Sequence, residues 1–538
     1  PKTSFAYDAL GQLTSIATPA GTITTSYSGR KKTITDGNNH VRTNTVDAFG
    51  RIIEAQEFIN GAFKTTTYGY TPLGNLKIIW DPVRNVRQFN YDSLGRRTLN
   101  QDVHAVTDIS YPFWSYTYDA NSNLLIETDA GRRNRVYTYD ALNRVTSVNL
   151  SETPGIDITY AYDTAPLGIG KLARGVRGNL TTEYSYNPIG LPASEARTIS
   201  GQRYETRYEY DWLGRVKKRT DPNGVAVHTT FNAQGLTEKM ELQYAGQAQR
   251  SRLLYNKNYN AAGQAIFAGF ANNISSSFRY DTALRLQGKA TQNIVTAEIF
   301  QNLNYWYDAA SNITLFIDSS NTLVKKTAWY AYDELDRLTS ARVTGTAAGT
   351  TPYAHTFTYD VLGNFISKSD TGTYAYAGTG YANPHAVTSI TTASGAVENF
   401  TYDANGNMLS DGMRTYSWNS RNELLSVTNG ASVTAFAYDH AGNRISKTSP
   451  SSSVTYVSGS YEIEDTAAGR ISRNYVYDGS GLIATVETAT PAGGSATTAL
   501  YFTHSDHLGT SSVVTAGAGA AAPLGSATQE FDNFPFGE

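Results

Sequence analysis

The 538-residue sequence contains no cysteine, which excludes a disulfide framework, a thiolate zinc site and a cysteine nucleophile together. Neither charge is in clear excess. With 44 Lys+Arg against 47 Asp+Glu the formal net charge is −3, and no long block of like charge occurs, so the basic face that a nucleic acid needs is missing. No apolar run approaches the roughly 18 to 20 residues of a membrane-spanning helix, and Pro1 to Tyr7 resembles no signal peptide. The sequence starts inside a motif that recurs later, Phe5-Ala6-Tyr7-Asp8-Ala9-Leu10-Gly11, so a longer parent protein is expected upstream. Helical periodicity is scarce throughout, and little helix is expected.

Tyrosine is abundant, with 38 Tyr against 20 Phe and 6 Trp, and it recurs on a period. Phe5-Ala6-Tyr7-Asp8-Ala9-Leu10-Gly11-Gln12-Leu13, Tyr137-Thr138-Tyr139-Asp140-Ala141-Leu142-Asn143-Arg144-Val145 and Tyr208-Glu209-Tyr210-Asp211-Trp212-Leu213-Gly214-Arg215-Val216 are one motif. Further copies centre on Asp92, Asp119, Asp163, Asp281, Asp308, Asp333, Asp360, Asp403, Asp439 and Asp478; looser ones centre on Asn187, Asn232, Asn260 and Asn419. Counting Asp47-Ala48-Phe49-Gly50 and other degenerate units there are roughly nineteen, spaced by about 20 to 28 residues, as repeat architectures are.

That spacing fits two short strands and two turns. Aromatic residues two apart share one face of a strand, so the Tyr-x-Tyr pair is expected to stack on its counterpart in the next hairpin. Asp or Asn then accepts backbone N–H groups two or three residues on and closes an Asx-type turn. Three residues after the Asp stands Gly11, Gly95, Gly214, Gly363, Gly406 or Gly442, replaced elsewhere by Asn143, Asn422 or Asp336. These residue types tolerate a positive φ, so a left-handed conformation is expected there. A polar residue, usually Arg or Asn, and an apolar one come next and begin the return strand, as in Arg337-Leu338, Asn407-Met408 and Arg444-Ile445. One such hairpin is marginal alone; stacked neighbours give it a continuous core.

The recurring Tyr-x-Tyr-Asp-x-x-Gly-Arg-Leu pattern resembles the YD repeat of bacterial Rhs proteins, of the B and C components of insecticidal toxin complexes and of animal teneurins. The resemblance covers nearly the whole chain. Tyr501-Phe502-Thr503-His504-Ser505-Asp506-His507-Leu508-Gly509-Thr510-Ser511 and Phe531-Asp532-Asn533-Phe534-Pro535-Phe536-Gly537-Glu538 are similar to the start of an Rhs-associated core, and Asn383-Pro384-His385-Ala386-Val387-Thr388-Ser389-Ile390 is similar to a segment of bacterial members. The organisation expected is a YD-repeat β-shell over 1–500 and the start of the core over 501–538.

The resemblance implies an all-β fold, a hairpin strip spiralling into a hollow shell around a C-terminal toxin polypeptide, with delivery machinery or a second shell component as partner. It implies a secreted or cell-surface bacterial protein, which the lack of cysteine also suits, since animal ectodomains of this size usually carry disulfides. A non-enzymatic shell fragment is the leading reading. The alternative is a cell-surface adhesion scaffold, teneurin-like or glycan-binding, without cargo. Many relatives cleave themselves at an aspartate beyond the Phe-Gly-Glu position; no cleavage residue can be assigned within this sequence.

No catalytic, cofactor or metal residue is expected. His504, Asp506 and His507 come nearest to a metal cluster, but on a strand the two histidines face opposite sides, which favours a structural role. Asp403-Ala404-Asn405-Gly406-Asn407 begins like a calcium loop, yet its glycine is misplaced and Arg414 stands where the closing Glu belongs. Gly168-Ile169-Gly170-Lys171 lacks the spacing and the Ser or Thr of a phosphate loop and reads as a loop insertion. His40, His104, His228, His355, His385 and His440 are scattered singly. Val343 to Thr351 and Ala516 to Ala527, rich in small residues, read as exposed loops or low-complexity insertions.

Overall fold

The computed structural model describes residues 2–105, 113–150, 157–320, 325–345, 352–376 and 383–531. Every regular element among them is a strand, 48 in all from Ser4–Tyr7 to Ala527–Glu530. The strands form one sheet of 35 and one of 13, the second beginning at Thr401–Tyr402. Pairing is antiparallel between chain neighbours wherever it is described, as in Val41–Val46 with Ile52–Ile59, then with Ala62–Tyr70, then with Leu76–Trp80.

The motif explains the register. Phe113–Tyr118 pairs with Leu124–Thr128 so that Ser115 faces Thr128 and Thr117 faces Ile126, and the register then slips to place Tyr118 opposite Leu124. The slip is a bulge made by the turn: Asp119 N–H donates to the Asn123 carbonyl at 3.0 Å, Ser122 N–H to the Asp119 carbonyl at 3.1 Å, and Ser122 takes a φ of 70°. A tight turn followed by one left-handed residue is a favoured hairpin connection because its twist matches that of the strands. The same slip falls at Tyr7, Tyr210, Tyr332 and Tyr438. Gly11, Gly95, Gly214, Gly363, Gly406, Gly442, Asn143, Asn422 and Asp336 all have positive φ, as their chemistry demands. Leu284 occupies the same place at φ 66° without that licence.

The chain divides into two compact units, each assembled from three stretches. Unit 1 comprises Pro1–Val136, Tyr280–Gly288 and Leu303–Tyr416; unit 2 comprises Tyr137–Arg279, Lys289–Asn302 and Ser417–Glu538. In unit 1 the buried apolar residues are dispersed, among them Ile59, Val86, Phe89, Leu303 and Phe357. In unit 2 Val225, Val227, Leu242, Leu254, Phe270 and Ile274 pack with Val476, Val486, Leu500, Phe502 and Val513 in one apolar cluster. Burying one such side chain contributes roughly 1.5–3 kcal/mol.

The segments read as exposed loops or low-complexity insertions depart from that expectation at their ends, while 518–524 runs as a largely exposed loop. Val343 is 1 % exposed at the end of Leu338–Thr344, and 346–351 lies outside the described residues. Ala516 is fully buried at the end of Ser511–Ala516, and Gly525 lies against the backbone of Asn272. Small residues stand there because backbones approach closely, which composition alone does not distinguish from an exposed loop.

Candidate functional site: the turns and the seams they form

The repeat turns are locked by their Asp or Asn side chain, and Asp140 shows the aspartate form. Asp140 Oδ1 accepts the backbone N–H of Leu142 at 2.9 Å and of Arg144 at 3.0 Å, while Oδ2 accepts the Arg144 Nε–H at 2.7 Å. The trio recurs at Asp92, Asp211, Asp281 and Asp333. Where asparagine stands four residues on, its amide replaces the guanidinium, as at Asp360 and Asp403. The Arg144 backbone N–H above all holds the Asp140 carboxyl below the ordinary range; at Asp119 the Asn123 amide is the main cause.

The arginine and tyrosine carry each turn to the next. Arg96 Nη1 donates to the Asp119 carbonyl at 2.9 Å, and its guanidinium lies 4.8 Å from the centre of the Tyr118 ring. The Tyr118 hydroxyl donates back to the Arg97 carbonyl at 2.7 Å. Arg285 with Tyr307 and Arg337 with Tyr359 repeat the arrangement, with ring distances of 4.6 and 4.7 Å. The recurring use of the motif tyrosine is therefore a hydroxyl on a carbonyl beneath a cation, where the sequence suggested ring stacking. A cation over a ring contributes about 0.5–1 kcal/mol at exposed sites, and such terms add along the strip.

A second set of turns, without the Tyr-x-Tyr signature, closes the opposite hairpin ends at Asp36, Asp81, Asp129 and Asp221. Their backbone bonding is the same, and their left-handed residues are Asn39, Arg84, Arg132 and Gly224. The return turns at Asp36 and Asp129 meet repeat turns far away in sequence. In unit 1, Asn38 Nδ2 donates to Asp308 Oδ2 at 2.9 Å, 270 residues away, while Gly21 and Gly37 back directly onto Ala309. Asn405 Nδ2 donates to Asp129 Oδ2 at 2.7 Å, and the Gly131 N–H donates to Asn405 Oδ1 at 3.2 Å.

In unit 2 the equivalent seam is buried. Asn474 Nδ2 donates to Asp221 Oδ2 at 3.0 Å, Ser460 Oγ to Asp221 Oδ1 at 3.1 Å, and Asn223 Nδ2 to Asn474 Oδ1 at 2.9 Å. Lys257 Nζ donates to Asp478 Oδ2 at 2.6 Å, with side chains only 4 % and 3 % exposed. The His440 ring fills the space left by the missing side chain of Gly175 and meets Tyr160 and Tyr184 edge-on.

The strands Thr497–Ser505 and Ser511–Ala516 complete this seam. Phe502 and His504 pack edge-on against Phe270, His504 Nε2 lies 2.9 Å from Thr515 Oγ1, and Asn272 Nδ2 donates to Thr515 Oγ1 at 2.8 Å. Lys289 Nζ and Gln301 Nε2 both donate to the Ser505 carbonyl. Burial pushes Lys289 down to about 8, against the pull of Asp506. Burial and then the Lys289 charge push His504 down to about 3, so it is a neutral packing residue.

The residues singled out from sequence thus separate. His504 is buried, Asp506 accepts the Leu508 and Thr510 N–H groups of a turn, and His507 is exposed in that turn. Asp403 makes the ordinary repeat turn. Gly168 to Lys171 lengthens the Asp163 turn, whose N–H reaches the Lys171 carbonyl. His385 Nδ1 lies 2.8 Å from Asn364 Oδ1. The return turns stand outside the sequence reading: Asp36 and Asp221 carry the same local signal, Asn or Gly three residues on, whereas at Asp81 and Asp129 an arginine takes the left-handed position.

Residues 1–235 and 226–457 match the Teneurin YD-shell family. Toxin subunit YenC1 of Yersinia entomophaga is 26 % identical over 293 residues, covering 46 % of this chain and 30 % of that protein. Double-stranded DNA deaminase toxin A of Burkholderia cenocepacia is 29 % identical over 179 residues, 32 % of this chain and 10 % of its own length. A Photorhabdus luminescens Tc holotoxin pore superposes over 99 % of this chain and 30 % of its own, with a TM-score of 0.81 at 17 % identity, which is likeness of fold. The chain therefore spans less than a third of each.

Proposed function

The chain belongs to the Teneurin YD-shell family, and from that premise we propose that it is the wall segment of a bacterial toxin that encloses a C-terminal effector and protects it until delivery. One observation carries this reading. The same kind of segment recurs in a toxin subunit and in a DNA deaminase toxin, and it accounts for a minor part of each. A part shared by toxins of differing description is a carrier, and it is not the source of any one activity.

Residues 501–531 support the reading as the start of an Rhs-associated core built into the wall. The strand Thr497–Ser505 enters the apolar cluster of unit 2; Lys289 and Gln301 hold its last carbonyl, and Asn272 holds the strand Ser511–Ala516 beside it. A polypeptide continuing from there leaves a fixed point. The wall itself supplies containment and no chemistry; secretion and a second shell component or delivery machine complete the proposal.

The test is made on the parent protein. Low-resolution imaging of the full-length chain is expected to show a hollow particle with internal density, and its reading frame past Glu538 a short effector domain after a cleavage motif. A solid or extended rod, or a wall anchor directly after Glu538, would overturn encapsulation in favour of an adhesion scaffold.

A further inference from the structure

We propose that Asp36, His40 and Asp336 of unit 1 bind a transition-metal dication of the zinc class, which ties the first return turn to a repeat turn 300 residues later in the chain. His40 Nδ1 lies 3.2 Å from Asp36 Oδ2 and 3.4 Å from Asp336 Oδ1, and the three atoms lie within 4.8 Å of one another. Zinc bonds of about 2.0–2.1 Å in tetrahedral geometry separate neighbouring ligand atoms by about 3.3 Å, so both histidine–carboxylate separations are those of a shared ion.

The histidine nitrogen supplies an independent sign. His40 Nδ1 is buried and makes no hydrogen bond, although two carboxylate oxygens stand that close to it. A neutral ring with its lone pair turned that way is repelled by both carboxylates, and a ring N–H pointing between them satisfies neither. A cation placed among the three resolves both conflicts.

The surroundings hold the ligands in place. Asp36 Oδ1 accepts the N–H groups of Asn38 and His40, each at 2.9 Å, leaving Oδ2 for the ion. Asn312 Nδ2 donates to Asp336 Oδ1 at 2.9 Å, and Arg42 Nη2 lies 3.6 Å from Asp336 Oδ2, the kind of outer partners that orient metal ligands. A cavity of about 410 Å³ lined by Asn38, His40, Asp308 and Tyr332 adjoins the histidine. Calcium is disfavoured, because it takes six to eight oxygens where this site offers two carboxylates and an imidazole nitrogen. Asp336 is itself unusual: it occupies the left-handed position at φ 61° that glycine fills in many repeats.

The test uses the whole chain, stripped with a chelator and dialysed against Zn²⁺ and, separately, Co²⁺. One equivalent of Zn²⁺ is expected, with affinity falling at least tenfold in His40→Ala and in Asp336→Gly, and a tetrahedral Co²⁺ absorption band in the wild type alone. Asp336→Gly keeps the turn geometry, and an unchanged circular dichroism spectrum establishes that it folds. Absence of retained Zn²⁺, or equal binding by both variants, would overturn the site and leave an imidazolium between two carboxylates as the reason for the cluster.

Discussion

Units 1 and 2 are made of the same hairpins and the same turns, yet they close their seams by different means. In unit 1 return turns meet repeat turns through small residues and amide–carboxylate bonds, Gly37 on Ala309 and Asn405 on Asp129. In unit 2 the same kind of meeting encloses an apolar cluster, a buried ion pair and a buried histidine. In both units, a turn engaged in a seam is marked by the residues just after the turn aspartate. Turns engaged in a seam carry Ala309, Asn405, His440 or Ser480, whereas Leu10, Phe49 and Leu94 are 84, 83 and 69 % exposed at that place in unit 1. The repeat signature specifies a hairpin, and its variable tip decides what the hairpin docks against.

The largest effect is expected from breaking the charged part of the unit 2 seam. Asp478→Asn leaves Lys257 buried without its partner and should cost about 3–5 kcal/mol in chemical denaturation of the whole chain, much of it recovered by adding Lys257→Met. A wild-type-like midpoint for Asp478→Asn would mean that the pair is solvated and the two seams alike. Next come the close contacts. A methyl added at Gly175 would fall on the His440 ring, wedged between two tyrosines, and one at Gly37 would sit 2.8 Å from Ala309 Cβ. Alanine there should cost about 3 kcal/mol at Gly175 and about 1–2 kcal/mol at Gly37, within the usual range for overpacking.

Acid should separate the units further. His504 is held at about 3 in the folded chain against an ordinary value near 6.5, so the unfolded chain binds the extra proton and stability falls as pH drops below 6.5. Between pH 6.5 and 5 the loss attributable to this residue should be about 2 kcal/mol, read as the difference in slope between the wild type and His504→Gln. Equal slopes would show that the histidine is protonated in place. The smallest effect has the opposite sign: Leu284→Gly relieves a branched side chain at φ 66° and should stabilise unit 1 by about 1 kcal/mol. A loss on that substitution would mean that the leucine's packing outweighs its backbone strain.

The repeat turn was legible in the sequence because everything that makes it lies within five residues: an aspartate, two amides, one left-handed position and one Arg or Asn. The all-β fold and the hairpin strip follow from it. The turns at Asp36, Asp129 and Asp221 share the backbone bonding and the left-handed position, but no Tyr-x-Tyr precedes them to mark them in the sequence. Seams were beyond local reading, since which turns meet depends on how far the strip travels before it returns, 270 residues for Asn38 and Asp308 and 253 for Asn474 and Asp221. His504 illustrates the limit: alternation placed it on a strand face, and only the fold shows that this face is sealed by Phe270 and Thr515.

The claim that return turns lock onto repeats far away in the chain is tested most directly by a double-mutant cycle on Asp221 and Asn474, with Asp221→Asn, Asn474→Ala and the pair compared by denaturation. A coupling of about 1–3 kcal/mol is expected for contacting members of one buried network. Additive effects within about 0.3–0.5 kcal/mol, the behaviour of distant and independent sites, would contradict it.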